Sequence, residues 1–348
     1  MQQQSARKLG GTPRQSAWTR FVKDHGSILM FLILFILASL FVSNFFAVRN
    51  IFTIIKQAAV PLVACMGLML ILTTGGIDLS LGYTLGLCSV LLGMMTKRYG
   101  FPAWQAIPLT LLIGAAVGLL NGSLVQFLRV PAFIATLGSG YVLYGIAQIF
   151  GKGDAFYQLP EDLLAFGDTR PLEGILESLP EHLQDNAFIS QFGKLPSYVY
   201  ISILVVILVY FLRHKTTYGR NLSAFGFNAA TTKLSGVNTA RLHVLTYVIS
   251  STLVALASIL LTIRVNCAQS NLGGTNYTFE IVTAAVVGGT SLFGGVSSVV
   301  NCIFGVLVTK SLENIVNLMA VNIYLYQPLM GLVILLAIVL EAYKNRKL

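Results

Sequence analysis

Few side chains in this sequence can do chemistry, and their positions are informative. The run Thr73-Thr74-Gly75-Gly76-Ile77-Asp78-Leu79-Ser80-Leu81-Gly82 places one carboxylate between two apolar stretches. On an insertion scale a carboxylate at mid-helix costs about 2.5–3.5 kcal/mol in hydrocarbon. Asp78 lies two residues after a glycine pair and two before Ser80, a good place for a helix break followed by an N-cap. There the acid accepts from exposed N–H groups and opposes the positive end of the following helix. The other reading of the same residues is a role in substrate passage or gating.

A second run, Gly288-Gly289-Thr290-Ser291-Leu292-Phe293-Gly294-Gly295, has four glycines in eight residues inside an apolar region. That density disfavours one continuous helix and suits a re-entrant turn or very close helix contact. Candidates for pathway or gate structure are therefore Gly75, Gly76, Asp78, Ser80, Gly288, Gly289, Thr290, Ser291, Gly294 and Gly295. Lys310 and Glu313 are three apart, share a helix face and are expected to neutralise each other. Arg264 and Glu280 flank a connection and read as interfacial. A polar stretch from Arg220 to Asn238 is mildly amphipathic and closed by Gly236, which fits a small helix lying across a membrane face or an ordinary basic loop.

The elements that position these residues follow from composition. Of 348 residues, 55% are hydrophobic and 10% charged, against roughly 25% charged in an ordinary soluble domain. A water-soluble fold of this size needs more polar surface, so the class is membrane protein. The net charge of +10 does not form one patch, which argues against nucleic acid as a partner. Cys65, Cys88, Cys267 and Cys302 make no CxxC pair, and the four histidines show no metal spacing, so no metal site is expected.

Ten apolar stretches lie near 27–47, 57–74, 79–96, 103–128, 130–150, 197–212, 243–263, 279–290, 296–320 and 325–342. Most approach the ~20 residues that cross ~30 Å of hydrocarbon. Those at 57–74, 197–212 and 279–290 are short, as cavity-lining segments of transporters often are. The expected fold is all-α and polytopic, with about ten transmembrane helices, Gly-rich broken or re-entrant segments, and both termini cytoplasmic. Residues 1–26 form a cytoplasmic tail, 151–196 a periplasmic loop and 213–241 a cytoplasmic loop, within a membrane domain spanning 27–348. Under the positive-inside rule the inner segments hold 14 of the 23 Lys and Arg, and the 151–196 loop carries eight acids against three bases. Lys97 and Arg98 fall outside and break the pattern. Both glycine-rich runs fall on the cytoplasmic side. The first apolar run is too long for a signal peptide, so it reads as an uncleaved span. The 151–196 loop reads as a surface loop with one or two interfacial helical turns, or as a docking surface for an external partner.

At these same residues the chain resembles the permease subunits of bacterial ATP-binding-cassette (ABC) importers for ribose, galactose and xylose. Residues 74–82 are similar to that family's TGGIDLSVG element, Pro131-Ala132-Phe133-Ile134-Ala135-Thr136-Leu137-Gly138 to PxFIATLG, and residues 288–295 to GGTSLxGG. Residues 226–238 resemble its coupling element G-x-N-x-x-A-A-x-x-S-G-V-N. The likeness runs in the family's order from about Asn50 to the C-terminus. It departs at Gly226-Phe227-Asn228-Ala229-Ala230-Thr231-Thr232, where the family usually reads GGN or GIN with an acidic pair before the alanines, and in a longer outer loop.

The resemblance implies a bacterial inner-membrane complex. Two permease chains, identical or different, form the pathway, a periplasmic sugar-binding protein delivers a monosaccharide or related carbohydrate, and cytoplasmic ATPase subunits drive transport. It implies that Gly226, Asn228, Ala229, Ala230, Ser235, Gly236 and Asn238 dock the ATPase. The chain lacks GxxxxGK[ST], so it binds no nucleotide through a P-loop and is no enzyme itself; ATP and Mg belong to the partner. The alternative is an ion- or proton-coupled secondary transporter using Asp78, Lys310 and Glu313. An intramembrane enzyme lacks the paired acids or His/Cys site it needs.

Overall fold

Hydrocarbon offers backbone amides no partners, so a chain this apolar satisfies them within helices. The computed structural model describes residues 17–346. The charged tail at 1–16 and the final two residues lie outside the described part. In chain order the elements are α1 Ala17–Phe41, α2 Val48–Thr73, α3 Leu81–Gly93 with a π turn Met94–Arg98, α4 Ala103–Gln126 and α5 Ala132–Gly151. Then come β1 Phe156–Tyr157, α6 Glu161–Asp168, α7 Glu173–Glu177, α8 Glu181–Gln184, α9 Ala187–Gly193, α10 Ser197–Lys215, α11 Thr217–Phe227 and α12 Ala229–Leu234. The chain finishes with α13 Thr239–Val265, β2 Cys267–Ala268, α14 Gly274–Val287, α15 Val299–Leu318 and α16 Tyr326–Arg346.

Each of the ten apolar stretches overlaps a helix. Six helices, α2, α4, α5, α10, α13 and α15, are long and apolar enough to cross a membrane. Two stretches expected to be short are full length. Residues 57–74 belong to α2, 26 residues long, and 197–212 to α10, 19 residues long. The first turns of α2 are polar, which hid them from an apolar window. Asn50 there exchanges two amide hydrogen bonds with Asn314 of α15 at 2.9 and 3.0 Å. The first apolar run also differs from its expected bounds: α1 begins at Ala17, has non-helical backbone angles at His25 and stops at Phe41.

α2 is the centre of the fold, with residues 58–73 almost continuously buried. α13 packs along it and along α4. Gly114, Gly118 and Gly122 recur every four residues on α4 and face Ser251, the Tyr247 carbonyl and Val244 of α13. This is the small-residue spacing that lets two membrane helices approach backbone to backbone.

Two helical paths are interrupted. After α2 the chain leaves the helix at Thr74 and re-enters one at Leu81. After α13, residues 266–274 run beside α3 in the opposite direction. Ala268 lies at Gly93, the Gln269 N–H donates to Ser89 at 3.2 Å, the Ser270 carbonyl lies at Gly86 and Gly274 at Gly82. A side chain at Gly82, Gly86 or Gly273 would collide with that facing backbone. The first turns of α3 and α14 therefore lie against each other.

The 151–196 loop holds four short helices, more order than one or two interfacial turns. Leu159 and Leu163 are buried in a cluster with Leu92, Ile259 and Ile263, and Phe188 packs on Phe52 with ring centroids 5.4 Å apart. This loop also accounts for Lys97 and Arg98. The Lys97 ammonium donates to the Gln158 carbonyl at 2.8 Å, and the Arg98 guanidinium stacks 5.6 Å from the Phe156 ring centroid. Both cations fasten the loop rather than mark a membrane side.

Gly118→Val is expected to lower the thermal midpoint of the detergent-purified protein markedly, because a larger residue forces α4 off α13. Gly138→Ala, with no atom near its new methyl, should leave it unchanged. Fluorescence-detected size exclusion after heating reads both.

Candidate functional site

Asp78 is fully buried. Its Oδ1 accepts from the Ser80 N–H at 2.8 Å and the Ser80 hydroxyl at 2.6 Å. Asn121 of α4 donates to that hydroxyl at 2.9 Å, and the Leu79 N–H donates to Thr136 of α5 at 3.0 Å. Asp78 thus holds the turn into α3 and fixes the break against two neighbouring helices. Its Oδ2 and the Asn121 Oδ1 make no hydrogen bond within the described residues.

The second break begins where α14 stops at Val287. Gly289, Gly294 and Gly295 have φ of 72°, 90° and 79°, angles that favour glycine. Thr290 N–H donates to the Ala285 carbonyl and Ser291 N–H to the Val296 carbonyl, both at 3.1 Å, so the loop folds on itself. The Gly295 N–H donates to the Thr73 carbonyl at 2.9 Å, tying the second break to the end of α2. A methyl on Gly226 would strike that Thr73 carbonyl and the Gly295 nitrogen, and one on Gly294 would meet the Gly226 carbonyl and the Gly75 nitrogen. Four glycines, Gly75, Gly226, Gly294 and Gly295, bring both breaks and the α11–α12 segment into backbone contact.

The polar stretch is two helices rather than one. Asn228 ends α11 and caps α12, accepting from Thr231 N–H at 2.9 Å; Asn238 caps α13, accepting from Arg241 N–H at 2.9 Å. These two asparagines shape the segment. Gly236 makes the turn between them at φ 84°. Ala229, Ala230, Lys233, Leu234, Ser235 and Gly236 are exposed, Leu234 by 89%.

Arg213, at the end of α10, was not singled out in the sequence. It is buried, and its guanidinium donates to Ser297 at 3.0 Å, the Gly219 carbonyl at 3.1 Å and Ser223 at 2.6 Å. Ser297 also accepts from Thr73 at 2.8 Å. No carboxylate pairs with Arg213 among the described residues. One cation therefore joins α10, α11 and the second break through neutral partners. The available signal was a basic residue directly after an apolar run, which a charge count treats as an ordinary inner-loop cation.

Lys310 is ion-paired to Glu313 at 2.7 Å, and also to Glu280 of α14. Glu280 is therefore not an interfacial residue; it pins α14 to α15. No hydrogen bond or ion pair links Asp78 with Lys310 or Glu313 among the described residues, so the three acid–base groups do not form a joined relay. All four cysteines are buried and unpaired, and no cluster with metal-holding composition occurs among the described residues.

An apolar helical chain, interrupted at two glycine breaks that meet beside a polar helix pair, is a multi-pass membrane protein. Residues 50–338 match the family described as branched-chain amino acid transport system / permease component, and the chain belongs to that permease family. It is similar to the ribose import permease protein RbsC of Escherichia coli strain K12, with 31% identity over 94% of this chain and 96% of the relative. The galactose/methyl galactoside import permease protein MglC of the same strain is 27% identical over 95% of this chain and 97% of its own length. The fructose import permease protein FrcC of Rhizobium meliloti is 31% identical over 86% of this chain and 79% of its own length. No solved structure matches the chain.

Arg213→Met should loosen α11 without unfolding the membrane helices. Hydrogen bonds to a charged group contribute about 1.5–3 kcal/mol each. Amide exchange across residues 217–227 is expected to accelerate on the order of tenfold or more, with α2 and α13 unchanged.

Proposed function

We propose that this chain is the transmembrane permease subunit of an ABC importer carrying a monosaccharide across the bacterial inner membrane. The observation that carries the reading is the meeting of Gly226 and Phe227, where residues 226–238 begin, with the two glycine breaks, in a chain whose relatives along most of its length are sugar import permeases. The family description names amino acids, but relatives named for ribose, galactose and fructose favour a sugar.

In this reading α1, α2, α3, α4, α5, α10, α13, α14, α15 and α16 make ten crossings with both termini in the cytosol. The two short members, α3 and α14, are completed by the irregular segments 74–80 and 266–274. The basic segments at 213–241 and the chain ends support this sidedness. A second permease chain completes the pathway, a periplasmic binding protein delivers the sugar, and a cytoplasmic ATPase supplies ATP, Mg and the catalytic residues.

The exposed face of α12, with Ala229, Ala230, Lys233 and Leu234, is the docking surface for the ATPase. Leu234 supplies an exposed apolar contact and Lys233 a charge at its edge. Movement of that face reaches the Gly75 and Gly294 joints through Gly226 and Arg213. The two breaks then act as hinges between inward and outward arrangements. Asp78 and Ser80 set one hinge; Gly288, Gly289, Thr290 and Ser291 form the other.

The purified chain alone is expected to hydrolyse no ATP. Hydrolysis should appear on adding the ATPase and rise with a loaded binding protein. A cysteine at Ser235 should react with a membrane-impermeant thiol reagent only from the cytosolic side. Labelling from the periplasm of intact cells would refute the proposed sidedness, and hydrolysis by the lone chain the division of labour.

A further inference from the structure

The place where α3 and α14 begin has a composition that lipid contact does not explain. Gly82 N–H donates to the Thr278 hydroxyl at 2.9 Å, and the Tyr83 and Thr275 hydroxyls share a hydrogen bond of 2.8 Å, joining the two first turns. α14 has 14 residues, about 21 Å of helix, and ends at the second break. With that break near one face of a ~30 Å hydrocarbon layer, its first turn lies well inside the membrane.

Thr275 and Asn276 are exposed on that turn, and Phe279, one turn on, is 48% exposed. Beside them Tyr141 of α5 is 62% exposed, its ring centroid 5.6 Å from that of Tyr83. An amide facing acyl chains leaves its donors and acceptor unsatisfied, at a cost of a few kcal/mol on the order given for polar burial. This face therefore meets water or another polar surface rather than lipid.

We infer that Tyr141, Thr275, Asn276 and Phe279, backed by the buried Tyr83, form one wall of the site that holds the sugar inside the pathway. The inference rests on the importer reading and adds the residues that touch the cargo. A sugar ring presents C–H faces, which pack flat on aromatic rings, and a rim of hydroxyls that both donate and accept. The Asn276 amide offers both roles in one group, and the Thr275 hydroxyl offers both from one oxygen. The wall carries no free charge, since the nearest acid along α14, Glu280, is ion-paired to Lys310. That suits a neutral polyhydroxylated ligand and disfavours the zwitterion of an amino acid, which needs two fixed counter-charges. The two helix N-termini flank the wall, the arrangement that broken-helix transporters use around their cargo.

The test uses the complete importer in proteoliposomes, with radiolabelled ribose, galactose and fructose as probes. In the chain carrying Asn276→Cys, a water-soluble maleimide is expected to label the new thiol during ATP turnover, the native cysteines being buried. The sugar that the wild type transports should slow labelling at least threefold, and the sugars it does not transport should leave labelling unchanged. Tyr141→Ala should cut sugar moved per ATP hydrolysed about tenfold, while Tyr141→Phe and Tyr141→Trp, which keep the ring, retain most of it. An unlabelled Asn276→Cys overturns the wall, because the face is then lipid or a dry subunit contact. Labelling unaffected by the transported sugar, or full transport by Tyr141→Ala, overturns it as well. If the wild type moves none of the three sugars, the sugar reading fails along with the wall, which separates that failure from the others. The labelling arm stays readable should Tyr141→Ala fail to assemble.

Discussion

One backbone contact organises the cytosol-facing end of this protein as proposed: the Gly295 N–H on the Thr73 carbonyl, closed over by Gly226. Peptide groups approach this closely only where no side chain stands between them. The end of the central helix, the loop after α14 and the turn before α12 are therefore held at one point by main-chain geometry. Such a contact has little tolerance for intermediate positions. It is either seated or broken, and a packed joint with two discrete arrangements is what a conformational switch requires. Arg213 adds the directional component, since its planar guanidinium holds its three partners in fixed directions, which the rotatable donors of an ammonium do not.

The charge pattern of the chain has two physical origins. Most basic residues lie in the polar segments between the apolar runs, as the positive-inside rule leads one to expect of a membrane protein. Lys97 instead donates to a carbonyl of the long acidic loop, and Arg98 to the Phe150 carbonyl of α5 while covering an aromatic face of that loop. In the same way the 310–313 pair is part of a three-member cluster. A lone Lys–Glu pair could exist on α15 by itself; the addition of Glu280 turns it into a link between two helices, and removing Lys310 would leave two carboxylates facing each other without a counter-charge.

What could be read in the sequence was whatever repeats with helical period or interrupts it. Apolar run lengths located the helices, and glycine density located both breaks. Asp78 as the organiser of a turn followed from its spacing to Ser80. Long-range partners left no local trace: nothing near Thr73 announces Gly295, and nothing near Lys310 announces Glu280. The division of 217–234 into two helices was hidden because Asn228 reads as an ordinary polar residue until its side chain is seen capping Thr231. Full-length α2 was missed for a related reason, its polar entry being satisfied by Asn314, 264 residues away. The close packing of α4 on α13 was legible in principle, in three glycines at four-residue intervals.

The short β1–β2 ladder has a mechanical consequence. It joins Phe156 to Ala268 and Tyr157 to Cys267, so the 151–196 loop is stitched to the start of the segment that runs beside α3. Five residues separate Ala268 from Gly274, and three of them, Ser270–Leu272, form one turn of 3-10 helix. So short a tether, packed against the glycines of α3, couples the position of the 151–196 loop to that of the first turn of α14.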